Sequence, residues 1–291
     1  MVKVKRQMPP VKKAPGRKGT TFSSQGISSR IQALDFDTGL SMCLYGRSGT
    51  GKTTFAGSFP GKLLWVICSS GKNPGELRSL NTPENRKRID RIVIEKVSDI
   101  TEVTNYLENN DKYQTVVVDH VTSFADKVLA EILGIEKTPE QKFWGMATQQ
   151  QYGQCTLQCK ELLRPILDLP HNRIFIGQER VFGGDEENQL ITPRIGPAVS
   201  PALAGWLEHS CDYLLGTYLR PQVTSKKITQ GGKQKIITKE TGKVEYCLRI
   251  YPHPTYASKV RIPKEFTDSL PECIVDPDYD KFMEVIQQAQ E

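Results

Sequence analysis

At 291 residues, 37% of them hydrophobic and 25% charged, the chain has the length and composition for one large α/β domain with appendages, or for two small domains. No run approaches the ~18 apolar residues of a membrane span, and no apolar segment follows the basic N-terminal residues, so neither a transmembrane helix nor a secretory signal is expected. The net charge of +6 is uneven: residues 1–19 hold Lys3, Lys5, Arg6, Lys12, Lys13, Arg17 and Lys18 and no acid, so everything after them carries a net −1.

With Pro9, Pro10 and Pro15 and few large apolar side chains, residues 1–25 are expected to form a disordered basic tail. Such a tail can hold nucleic acid by counterion release, or it can serve only to keep the chain in solution. Seven cysteines, an odd number scattered along the chain, fit reduced thiols in the cytoplasm better than a disulfide framework. Cys155 and Cys159 stand four apart on one expected helix, but no second pair or well-spaced His completes a zinc site.

The first expected strand, Leu40–Tyr45, runs directly into Gly46-Arg47-Ser48-Gly49-Thr50-Gly51-Lys52-Thr53, a full match to the pattern G-x-x-x-x-G-K-[ST]. The glycines let a loop wrap tightly with its N–H groups turned onto phosphates. Lys52 can reach the β- and γ-phosphates, and the Thr53 hydroxyl can ligate Mg²⁺. A helix over Lys52–Ser58 adds its positive N-terminal end and extends the nucleotide contact to Thr54, before Phe59-Pro60-Gly61 breaks it.

Apolar runs at Leu63–Cys68, Arg91–Val97, Thr115–Asp119, Arg173–Gln178 and Asp212–Leu219 read as further strands. Helices are expected between them at Ile100–Glu108, Val121–Leu133, Thr148–Leu167 and Pro201–Ser210. Asp99 with Glu102 reads as a capping pair for the first of these. The alternation gives an α/β fold with a mainly parallel sheet. Beyond Pro221 the texture changes to short alternating runs, Val223–Ile228, Lys235–Thr238 and Val244–Tyr251, split by Gly231-Gly232 and Thr241-Gly242. These read as an antiparallel hairpin or meander within residues 221–270, followed by a C-terminal helix or tail over 271–291. The lysines of this region (Lys226, Lys227, Lys233, Lys235, Lys239, Lys243) suit a solvated, guarded edge or a ribbon facing nucleic acid.

Two strand ends complete the chemistry. Thr115-Val116-Val117-Val118-Asp119 has the form of a Walker B strand, expected beside the P-loop strand, with Asp119 reaching Mg²⁺ directly or through water. His120 after it reads as a turn residue. Ile174-Phe175-Ile176-Gly177-Gln178 ends in an amide that can sense a γ-phosphate or orient the attacking water.

Together these elements resemble the RecA-like P-loop core. More specifically the chain resembles the phage-type RecA-like ATPases of single-strand annealing and recombination, over roughly residues 28–270. Leu162-Leu163-Arg164 running to Leu169-Pro170-His171-Asn172, and Lys259-Val260-Arg261 followed by Ile262-Pro263, add to the likeness. The resemblance implies a core over residues 26–220, ATP and Mg²⁺ as ligands, and a homo-oligomeric ring or filament in which Lys259 and Arg261 act in trans on a neighbour's γ-phosphate. It also implies contact with single-stranded DNA through loops near Gly134–Ala147, with Lys142, Phe143 and Trp144, and Val181–Ser200. In the second loop, Asp185, Glu186 and Glu187 oppose phosphate. An annealing protein or helicase is a further implied partner. One departure stands out: such enzymes carry a catalytic Glu at the end of the strand after the P-loop helix, whereas Leu63–Cys68 runs into Ser69-Ser70-Gly71-Lys72-Asn73. Glu76 is the nearest acid and Glu179 the other candidate. The expected activity is ATP binding with DNA-stimulated hydrolysis. The alternatives are a nucleotide-dependent interaction module with little turnover, and a small-molecule kinase, for which no Arg-rich lid is evident.

Overall fold

Strand β1 (Ser41–Gly46) is buried along its whole length, as are β2 (Leu63–Ile67) and β4 (Thr115–Asp119). Strands covered on both faces read as continuous apolar runs, which is how these segments appear in the sequence. The computed structural model describes residues 39–69, 74–135, 147–183, 193–230 and 233–289, without side chains at 74, 76, 225–230 and 233–238. The basic tail and the centres of both expected DNA loops, 136–146 and 184–192, lie outside the described residues.

Six strands run parallel in the order β3 (Ile89–Val93), β2, β4, β5 (Asn172–Gly177), β1 and β8 (Tyr213–Gln230). This corrects the expectation that the Asp119 strand neighbours the P-loop strand. β5 lies between them, with Ser41 opposite Arg173 on one side and Thr115 opposite Asn172 on the other. The sheet continues antiparallel through β9 (Lys233–Arg249) to β11 (Cys273–Val275), while β10 (Lys259–Val260) pairs with the start of β8. A separate two-stranded sheet, β6 (Glu179–Phe182) with β7 (Arg194–Pro197), occupies the ends of the Val181–Ser200 segment, where only a loop was expected.

Helices cover both faces. After α1 (Lys52–Gly57) and the short α2 (Asn85–Arg88), the helices α3 (Asp99–Glu108), α4 (Val121–Leu133), α5 (Gln149–Leu167) and α6 (Pro201–Ser210) bury Val103, Phe124, Leu163 and Leu207 against one face. Local chemistry fixes their starts. Thr148 and Gln151 form a reciprocal capping box on α5, and Ser200 with Pro201 opens α6. Asp99 departs from the expected pairing with Glu102. Its carboxylate accepts from the N–H groups of Glu95 (2.8 Å) and Lys96 (2.9 Å), so it closes the preceding turn.

On the opposite face α1 packs with the final helix α7 (Tyr279–Gln288). Phe282, fully buried, meets Phe55 and Tyr213 edge-on at centroid distances of 6.0 and 5.2 Å. Of the helix or tail expected over 271–291, Tyr279–Gln288 forms a helix whose Phe282 and Ile286 are buried in the core. The hairpin expectation also changes. β8 and β9 form one continuous ribbon, paired from Gly216–Arg249 out to Gln230–Lys233. Thr241-Gly242 is no strand break; it lies in β9 opposite a register shift between Pro221 and Val223, with Gly242 at φ 76°. A bulge uses the same residue types as a turn, so the local pattern did not separate them. Among the described residues, no helix is long and apolar enough to cross a membrane.

Candidate functional site

The P-loop leaves the C-terminal end of β1 and enters α1, as its pattern requires. Gly46 (φ 155°) and Gly51 (φ 91°) supply backbone conformations that L side chains avoid. A Cβ on Gly46 would collide with the hydroxyl and carbonyl oxygens of Thr217. That contact is one side of a tight seam. The Thr50 hydroxyl donates to Arg47 O (2.8 Å) and accepts a 2.7 Å hydrogen bond from the Thr217 hydroxyl, which also lies 3.3 Å from Tyr45 O. Thr50 and Thr217 are both buried, so β8 fixes the loop from outside its motif. No local signal in the sequence marks Thr217.

Lys52 Nζ donates to the carbonyls of Gly46 (2.8 Å) and Arg47 (2.7 Å). Burial pushes the Lys52 pKa down, and the carboxylates of Asp119 and Glu179 act against that. Arg47 forms an ion pair with Glu179 at 3.2 Å, which brings the acid at the head of β6 to the phosphate loop. The side chain of Glu76, the other acid weighed for catalysis, lies outside the described residues.

One cavity of about 850 Å³ gathers Ser48, Gly49, Gly51, Lys52, Thr53 and Thr54 with Asp119 and Gln178. Asp119 is buried, and the Trp65 indole N–H donates to its Oδ2 at 3.0 Å. Gln178 is exposed, and its backbone N–H donates to the Thr122 hydroxyl at 3.3 Å, tying the end of β5 to α4. His120 lines the cavity and also caps α4, accepting at Nδ1 from Ser123 N–H (3.1 Å). Thr53 and Asp119 present a hydroxyl and a carboxylate to the same space. That donor pair fits Mg²⁺, which takes few protein oxygens and completes its shell with water and phosphate.

This constellation coincides with the result of comparison with known families: residues 38–262 match the family model of the AAA domain. The chain belongs to the AAA domain family. It is accordingly a P-loop NTPase domain built on a mostly parallel α/β sheet. No curated protein matches the chain.

Lys259 and Arg261, expected to serve a neighbour's site in trans, lie away from the P-loop of their own chain. β10 pairs with the first residues of β8, Lys259 opposite Leu214, at the end of the sheet away from the P-loop. Lys259 Nζ donates to the carbonyls of Glu208 (2.6 Å), His209 (3.2 Å) and Cys211 (2.7 Å). Arg261 pairs with Asp212 at 2.8 Å and donates to His209 O at 2.8 Å. Cations on helix C-terminal carbonyls are favourable. Within a single chain the pair is thus engaged at the end of α6. The site also includes residues that the sequence reading did not name: Tyr246 on β9 and Asp276, Pro277 and Asp278 before α7 all line the cavity.

Proposed function

We propose that the chain is an ATP-hydrolysing, RecA-like ATPase that acts on single-stranded DNA in phage-type recombination, annealing or repair. The observation that carries the reading is the convergence of Lys52, Thr53, Asp119 and Gln178 on one cavity. Three motifs far apart in sequence meet where a triphosphate, its cation and an attacking water must meet. Lys52 and the loop N–H groups hold the phosphates, and Thr53 and Asp119 hold Mg²⁺, which would neutralise charge on the phosphates when bound. Gln178, at the end of β5 and tied to α4, orients water and reports the γ-phosphate.

The DNA part of the proposal is supported by the β8–β9 ribbon. It carries the lysine-rich segment and roots at Thr217, whose hydroxyl is bonded to Thr50 of the P-loop. A strand-binding ribbon anchored on the phosphate loop gives DNA and nucleotide a shared element. A homo-oligomeric ring or filament, working with an annealing protein or helicase in the host cytoplasm, completes this reading.

A second reading, a nucleotide-dependent interaction module with little turnover, is favoured by β2. That strand ends at Ile67 and is followed by Cys68 and Ser69, with no carboxylate at its tip. An ATPase assay with and without single-stranded DNA, at several salt concentrations, separates the two. DNA-stimulated turnover that weakens with salt and vanishes in Lys52→Ala supports the first. ATP binding with no turnover in either condition supports the second.

A further inference from the structure

The nucleotide cavity does not end at the phosphate loop. At about 850 Å³ it has room for a whole nucleotide, in the range of sites that enclose ligands of that size. Its wall also includes Tyr246 and the segment Asp276–Asp278, none of which serves the phosphate chemistry described above.

Tyr246 is 42% exposed, and its Cδ1 stands 3.3 Å from the point where a Cβ on Gly51 would lie. A partly exposed aromatic ring that lines the cavity beside a phosphate loop can serve as a stacking platform. The adjoining turn is firmly held. Asp276 N–H donates to Tyr246 O (2.7 Å), Asp276 O accepts from Lys281 Nζ (2.7 Å), and Asp278 Oδ1 accepts from Lys281 N–H (2.8 Å). Asp276 itself adopts φ 45°, a left-handed conformation that surrounding structure must hold in place. The buried Phe282 in α7 anchors the far side. Acidic residues here would repel phosphate, so this wall suits a different part of the ligand. A carboxylate is acceptor-only and selects a donor.

Resting on the ATP-binding reading above, we infer that Tyr246 stacks on the nucleobase while Asp276 accepts a hydrogen bond from its exocyclic amino group. The C-terminal segment is then the part of the chain that reads the base, favouring adenine over a purine lacking the 6-amino group.

Calorimetric titration of the full chain with Mg²⁺ plus ATP, purine riboside triphosphate or inorganic tripolyphosphate tests this. ATP should bind tightest. Tyr246→Ala should weaken ATP roughly 5- to 150-fold while leaving tripolyphosphate affinity unchanged, and Tyr246→Phe should restore ATP binding. Asp276→Gly, which keeps the backbone conformation accessible, should bring ATP down to the affinity of purine riboside triphosphate. If Tyr246→Ala and Asp276→Gly bind ATP like the wild type while Lys52→Ala does not, the base assignment fails and the P-loop reading stands. Loss of tripolyphosphate along with ATP in Tyr246→Ala would make the ring a support of the loop, and would also overturn the assignment. A wild-type chain that binds neither ATP nor tripolyphosphate refutes both readings.

Discussion

The indole N–H of Trp65 donates a 3.0 Å hydrogen bond to Oδ2 of Asp119, and both side chains are buried. The strands that carry them are neighbours, with Trp65 opposite Val117 and Ile67 opposite Asp119. Trp65 therefore reaches along the strand direction to the tip of the sheet. A buried carboxylate is costly unless it is bonded, and this bond also fixes which way its oxygens face. Asp119 is thereby presented to the cavity in a set orientation, by a residue that forms no part of any nucleotide motif.

Trp65→Phe keeps a ring and removes the donor. Loss of a hydrogen bond to a charged group costs about 1.5–3 kcal/mol, so the variant should unfold at lower denaturant by that amount or more. With Asp119 less well oriented, the Mg²⁺ concentration needed for half-maximal nucleotide binding should rise. Denaturation curves and a Mg²⁺ series at fixed ATP read the two effects separately. An unchanged Mg²⁺ requirement would limit Trp65 to a packing role.

Lys52 gives a pH signature. Burial lowers its pKa from the ordinary lysine value, while Asp119 and Glu179 act in the opposite direction. Only the ammonium form compensates phosphate charge. Triphosphate affinity should therefore be level while Lys52 is protonated and should fall as pH rises through its lowered pKa, earlier than for an ordinary lysine. Lys52→Arg, whose guanidinium stays charged, should abolish that alkaline fall whatever its absolute affinity. Affinity measured from neutral to strongly alkaline pH checks both curves.

Local pattern accounts for what the sequence made legible. Thr115–Asp119 and Val121–Leu133 were read to the residue, because an apolar run ending in Asp and an amphipathic stretch closed by Gly134 are self-contained signals. The site's supporting residues were not legible. Trp65 and Asp119 are 54 positions apart, and Thr50 and Thr217 are 167 apart, so their pairing exists only after the sheet has ordered its strands. Strand order was misread for the same reason: nothing local to Thr115–Asp119 says that β5 will intervene. The contacts of Lys259 and Arg261 with the carbonyls ending α6 were equally illegible, because they too depend on distant segments meeting.

The C-terminal helix offers a stability test that a dispensable tail would fail. Phe282 is fully buried between Phe55 of the P-loop helix and Tyr213 of β8. Phe282→Ala should cost about 3–5 kcal/mol in chemical denaturation, through lost burial and the cavity left behind. Because Phe55 follows Thr54 on α1, nucleotide affinity should fall as well. A change under about 1 kcal/mol would mean that α7 docks too loosely to matter.

The Arg47–Glu179 pair decides where a catalytic base can come from. Arg47 is 84% exposed and Glu179 only 15%, so the acid is fixed and its partner is the solvent-facing member. A pair of this kind is worth no more than about 1 kcal/mol, and Arg47→Ala should change stability by no more than that. Its effect on turnover is a separate matter, because it releases a carboxylate beside the phosphate loop. If Glu179 activates the attacking water, Glu179→Gln should lower hydrolysis roughly 10²- to 10⁴-fold while ATP affinity holds, and Arg47→Ala should leave hydrolysis equal or faster. Turnover that survives in Glu179→Gln and collapses in Glu76→Gln would instead assign the base to the segment that follows β2. Single-turnover hydrolysis alongside ATP titration of all three variants distinguishes the assignments, since only a group acting on the water lowers the rate without lowering affinity.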